Sequence, residues 1–198
     1  MARDLILVRH AMPEVIRGVS SKLWRLSDGS REHCVLLADA LSGELASPVI
    51  SSGRPKVDDT AAVLALRRGL AVQTDERVAE VDQGSVWYDG DYRGRAADYL
   101  DGIDMPGWEA RELVARRFAA AVNERLAEPG AADLVVVNHG LAMSLYLASL
   151  LPEVVVDNRR DAFHLVQFWQ DLTFPDAWRL DLEQNTLTRL FYGGLTGT

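Results

Sequence analysis

Three continuous apolar runs, each closed by polar residues and followed by a stretch of helical spacing, narrow the folds open to this chain more than any other feature. They are LILV (5–8), PVIS (48–51) and LVVVN (134–138). Runs of this kind, without polar alternation, suit strands buried on both faces in the middle of a parallel sheet. LSDGSREHCVLLADAL follows the first, with a polar start at Ser27 or Asp28 and apolar Val35, Leu36, Leu37, Ala38 and Leu41. VDDTAAVLALRRGL follows the second, acidic in its first turn and closing on Arg67-Arg68, as the helix dipole favours. GLAMSLYLASLL follows the third and is apolar nearly all round, which predicts a buried helix.

A further helix is expected over about 107–127, stopped by Pro129-Gly130. FHLVQFWQ and AWRLDLEQ read as later strands joined by an irregular stretch near Pro175, and FYGGLTGT reads as a tail. Strand alternating with helix implies an α/β fold, here three α/β/α layers around a mostly parallel central sheet. Nothing resembling a linker divides the chain, so residues 1–198 are expected to form a single domain.

The net charge of −8 argues against nucleic acid and anionic membrane surfaces as partners. An anionic ligand must then be held by a local cation cluster, against the general field. One cysteine, Cys34, excludes an internal disulfide and a cysteine metal cluster, and no histidine–carboxylate group has metal-ligand spacing. The first residues do not read as a signal peptide, and LAMSLYLASLL is about half the length a bilayer needs. A soluble, cytoplasmic protein is expected. No interface pattern stands out, which leaves a homo-oligomer open.

The polar residues closing the three runs are Arg9-His10, Ser51-Ser52 and Asn138-His139-Gly140. In open α/β sheets ligands bind beyond the carboxyl ends of the strands. Two of the four histidines stand at that edge. His33 and His164 lie within predicted elements and read as structural. No GxGxxG or GxxxxGK[ST] loop follows a predicted strand, which disfavours a nucleotide-binding protein.

Together these landmarks resemble the histidine phosphatase superfamily, which includes the phosphoglycerate mutases. Its Arg-His-Gly reads here Arg9-His10-Ala11; its Ser-Ser turn leading to a helix with a threonine reads SSGRPKVDDTA, with Thr60 in register. EVDQG supplies Glu80 and Gly84, and VVVNHG supplies the closing His139-Gly140. The resemblance implies a phosphoglycerate mutase-like fold and a phosphohistidine formed on His10. It gives catalytic roles to Arg9, Glu80 and His139, phosphate contacts to Lys56, Arg54 and Gly140, and no cofactor.

The chemistry can be stated independently. A nucleophilic imidazole must be neutral, with one ring nitrogen bearing a lone pair and the other hydrogen-bonded. Arg9 disfavours imidazolium and offers a planar fork to phosphate. Phosphoryl transfer needs chiefly positioning and charge neutralisation, which arginine and histidine supply without metal. The leaving group needs a proton donor, for which Glu80 is the candidate by position; in that role its pKa is expected to be raised by burial or by a carboxylate such as Asp82, itself read as turn chemistry.

The chain also departs from the pattern. Lys56 stands where the second phosphate-binding arginine is expected, a point charge in place of a fork. One lost charge-assisted hydrogen bond costs roughly 1.5–3 kcal/mol, unless Arg54 turns inward to compensate. Pro13 and Ile16 occupy positions where the family has side chains that bind phosphate, and Ala11 replaces glycine. The expected activity is hydrolysis of a small phosphorylated metabolite. A weakly active or non-catalytic phosphoester-binding protein is the alternative, and a phosphomutase the next, because the segment after Glu80 is short for enclosing a second acceptor. Trp87, Tyr88 and Tyr92 in that segment are candidates for the substrate wall.

Overall fold

The computed structural model describes residues 4–43, 48–84, 90–128, 133–151, 153–156 and 159–195. The three apolar runs become β1 (Leu5–Arg9), β2 (Val49–Ser51) and β4 (Leu134–Asn138), every residue but Arg9 buried. Their neighbours are β3 (Val72–Thr74), β5 (Glu153–Val156), β6 (Arg159–Ala162), β7 (Phe174–Asp181) and β8 (Thr186–Leu195). All eight form one sheet in the order β3-β2-β4-β1-β7-β8-β5-β6. Every pairing from β3 to β1 is parallel. Antiparallel pairs enter beyond β1, at β1–β7, β7–β8 and β5–β6, while β5–β8 is parallel.

Alternation along the central strands divides the core. Leu5, Leu7, Leu134 and Val136 face one cluster, and Ile6, Val8, Val135 and Val137 the other. The second cluster is closed by α1 (Ser30–Ala40) and α2 (Pro55–Arg68). The first is closed by α3 (Tyr92–Leu100), α4 (Arg111–Ala127), α5 (Gly140–Leu150) and α6 (Leu165–Asp171). The expected three layers are present, and α5 is buried from Gly140 to Leu147.

Two expectations are corrected. FHLVQFWQ is not a strand but contains α6, because Leu165, Phe168 and Trp169 recur at helical spacing and reach the first cluster. His164 is therefore the residue capping that helix, not a strand residue. Most of FYGGLTGT is not a tail: Phe191 to Leu195 continue β8 against β7.

Candidate active site

Strand register brings the separated landmarks together. Arg9 pairs with Asn138 across β1 and β4, and the His10 N–H donates to the Asn138 carbonyl at 3.1 Å. The next residues, His10 and His139, meet edge to face with ring centroids 5.2 Å apart. Ser51 pairs with Val137 across β2 and β4, which sets the Ser52 hydroxyl 2.9 Å from His139 Nε2.

His10 is 5 % exposed, and its Nδ1 lies 2.7 Å from the Ala11 carbonyl oxygen. A carbonyl can only accept, so Nδ1 carries the hydrogen and Nε2 keeps its lone pair. The Ala11 N–H donates to Thr60 Oγ1 at 3.1 Å, and Thr60 donates to the Lys56 carbonyl at 2.8 Å. Thr60 thus fixes the turn that orients the imidazole. Burial holds His10 well below the usual histidine range, with Lys56 the next cause and Arg9 a lesser one. Arg9, expected from the sequence to keep His10 neutral, contributes only a minor part. Desolvation does most of it, since a charge in a buried site forgoes hydration.

Arg9 is stacked over Phe174, its Cζ 3.5 Å from the ring centroid, and donates to the Leu172 carbonyl at 2.9 Å. Its Nε has no partner. Burial lowers its pKa to about 10, so it stays charged at neutral pH. Gly140 permits this placement: a β-carbon there would stand 3.2 Å from Arg9 Nε and 3.3 Å from Trp169 Nε1.

Glu80 caps α5 from a distant loop. Its carboxylate accepts from the N–H groups of Val81 at 3.0 Å, Ala142 at 2.9 Å and Leu141 at 3.3 Å. Burial nevertheless raises its pKa above the usual carboxylate range, and the three N–H donors and Lys56 only oppose that. Asp82 is no cause of the shift; it forms an ion pair with Lys22 at 2.8 Å.

Lys56 is buried, and its Nζ donates to the Ser21 carbonyl at 2.7 Å beside the Trp24 ring. Its charge acts on both His10 and His139. Arg54 enters through the turn at Gly53, whose φ is +75° and whose β-carbon would meet the Thr74 methyl at 2.9 Å. Arg54 and Glu80 line a cavity of about 540 Å³, with Glu76, Asp82, Trp108 and Arg117 among the other walls. Arg54 bears on His139 and Lys56 as well, so both cations serve one site. Tyr92 opens α3 and its hydroxyl accepts from Gln83 at 3.0 Å. Trp87 and Tyr88 lie outside the described residues.

Sequence reasoning missed Arg117, which fixes the Glu80 loop by donating to the carbonyls of Arg77, Ala79 and Glu80 and to Glu109. It lies inside a predicted helix with no local motif. Asp176 was missed too: fully buried, it accepts from the Thr173 N–H and hydroxyl and pairs with Arg189. Its charge bears on Arg9. Among the described residues no group of three or more histidine, cysteine or acidic side chains could hold a metal, and no helix is long and apolar enough to cross a membrane.

The family model for the histidine phosphatase superfamily (branch 1) matches residues 5–190. The chain belongs to the histidine phosphatase superfamily. Its relatives within that superfamily include a protein of Yersinia enterocolitica named probable phosphoglycerate mutase GpmB, 26 % identical over 162 residues, 75 % of this chain and 74 % of that one. A mycobacterial glucosyl-3-phosphoglycerate phosphatase solved with VO3 superposes with a TM-score of 0.73 and 25 % identity, covering 96 % of this chain and 99 % of that one. A structure called mycobacterial hydrolase 1 has the same fold, with a TM-score of 0.72 and 21 % identity over 98 % of this chain and 100 % of that one.

Proposed function

We propose that this superfamily member is a phosphatase that hydrolyses a small phosphomonoester through a phosphohistidine on His10. The observation that carries this reading is a neutral imidazole whose Nδ1–H is tied to the Ala11 carbonyl, within the fields of Lys56 and Arg9. Nε2 attacks phosphorus and the bond to the ester oxygen breaks. Glu80, kept protonated more readily by burial, gives its proton to the departing oxygen. Water then attacks phosphorus as the phosphorus–Nε2 bond breaks, Glu80 takes the water's proton, and phosphate leaves neutral His10. Arg9, Lys56 and Arg54 neutralise the phosphoryl oxygens, and His139, held neutral by burial, supplies a hydrogen-bonding ring beside them.

Release of phosphate from a chromogenic phosphoester by the wild type, set beside His10→Ala, tests the proposal. A labelled phosphodonor should also leave acid-labile label on the wild type and none on the variant. Equal release from both proteins would sink it.

A further inference from the structure

The cavity beside Glu80 holds more information than its size. Four carboxylates line it, Glu76, Glu80, Asp82 and Glu109, against two guanidinium groups, Arg54 and Arg117. Arg117 has nothing left to offer a ligand. Its Nε and one terminal nitrogen donate to the two oxygens of Glu109, both at 2.9 Å. That terminal nitrogen also donates to the Glu80 carbonyl at 3.1 Å, and the other donates to the carbonyls of Arg77 and Ala79 at 2.6 and 2.7 Å. A guanidinium has five N–H donors, and all five are spent.

Arg54 is thus the one lining cation with donors to spare, and it also faces the phosphoryl site through His139 and Lys56. Once Arg54 serves the phosphoryl group, a second anion on the substrate meets a wall whose carboxylates outnumber its cations. Glu109 and Asp82 are both held below the usual carboxylate range, Glu109 by Arg117 against the pull of its burial and Asp82 by Lys22. Hydroxyl groups, by contrast, can donate to the lone pairs that Lys22, Arg117 and the backbone leave open on these carboxylates. Trp108 adds an aromatic wall against which the C–H face of a sugar ring can lie. A cationic head group is disfavoured on the same wall, because Arg95 already stands over the Trp108 ring, 5.5 Å from its centroid.

Building on the phosphatase reading, we infer that the cavity receives the leaving group and that this group is uncharged and hydroxyl-rich, of sugar or polyol type. A carboxylate-bearing phosphoester such as a phosphoglycerate is the wrong partner for this wall, although relatives of the chain are named for that compound.

Phosphoesters that set a hydroxyl-bearing member against an acid or an amine test this directly. The kcat/KM of the wild type is measured for glucose 6-phosphate against 6-phosphogluconate, for glycerol 3-phosphate against 3-phosphoglycerate, and for phosphoethanolamine. The hydroxyl member of each pair is expected to lead by about tenfold or more, since like-charge contact is penalised, and phosphoethanolamine to trail glycerol 3-phosphate. Glu76→Gln with Asp82→Asn should narrow the gap within each pair. Trp108→Ala should raise KM for glucose 6-phosphate more than for glycerol 3-phosphate. Equal or better turnover of the acids, or of phosphoethanolamine, overturns the inference while leaving the phosphatase reading intact. If no ester turns over, the phosphatase reading fails, and the same pairs are ranked by calorimetric binding to the wild type. Preference for the acids there overturns the inference, and preference for the hydroxyl members upholds it.

Discussion

Lys56 reaches the carbonyl of Ser21, 2.7 Å from its Nζ, and so ties the segment between β1 and α1 to the same ammonium whose charge acts on His10. An ammonium has three donors in a tetrahedral spread, so one can hold that segment while others remain for phosphate. Burial lowers the Lys56 pKa to about 8. Above that pH the free protein loses a positive charge from its phosphoryl site. The kcat/KM for a phosphomonoester should therefore decline as pH rises through about 8, and Lys56→Arg should move that decline to higher pH. Lys56→Met should lower kcat/KM about tenfold to a hundredfold at pH 7, the value of one charge-assisted hydrogen bond. An identical alkaline decline in Lys56→Arg would assign it to another group.

His10 and His139 are both held well below the ordinary histidine range by burial. Unfolded, each titrates near 6.5. Below that pH the unfolded chain binds protons that the native protein refuses, so stability falls as pH drops, with a slope that approaches about 1.4 kcal/mol per pH unit for each histidine once the unfolded ring is fully protonated. Glu80 and Asp176 act in the opposite sense, because their raised pKa values let the native state take up protons before the unfolded chain does. Urea unfolding at pH 6.5 and 5.5 separates the two effects when wild type is compared with His10→Gln. The variant's loss of stability over that unit should be smaller by about 1 kcal/mol, since the unfolded histidine is only half protonated at pH 6.5. An unchanged slope would mean that His10 is protonated in the folded protein.

The sequence made the central strands legible because continuous burial on both faces leaves a continuous apolar run, and their polar ends marked the edge where a ligand would sit. What joins those ends is register, which pairs Arg9 with Asn138 and Ser51 with Val137, and no local pattern encodes it. The cap that Glu80 places on α5 spans 61 residues or more and was invisible for the same reason. FHLVQFWQ misled because aromatic and β-branched residues suit strands, whereas packing against the first cluster selected the helical spacing also present in it. Lys56 looked like a weakened phosphate ligand, and its second task at Ser21 could be seen only in three dimensions.

In the proposed mechanism Glu80 is the proton donor, with its pKa raised by burial. A poor leaving group needs that proton and a good one does not. Glu80→Gln keeps one acceptor for the α5 N–H groups but has no acidic proton. Its kcat should fall about 10²- to 10⁴-fold for an alkyl phosphate and far less for a nitrophenyl phosphate. Single-turnover rates on the two esters check this, and an equal loss on both would assign Glu80 a purely structural role.

Gly140 opens α5 against the guanidinium of Arg9, and the closeness of that approach makes the residue sensitive to a single methyl group. A β-carbon at Gly140 would meet Arg9 Nε at 3.2 Å, Arg9 Cζ at 3.3 Å and Trp169 Nε1 at 3.3 Å. The backbone before it is extended, with His139 at φ −123°, so the obstacle is space and not a left-handed conformation. Arg9 has little freedom to yield, since it is stacked 3.5 Å above Phe174 and bonded to the Leu172 carbonyl. In Gly140→Ala the guanidinium must shift by a few tenths of an ångström, enough to spoil alignment with a phosphoryl group. We expect kcat/KM to fall by about tenfold, with the melting temperature little changed. Gly140→Ala at full activity would show that Arg9 does not need this close seat against α5.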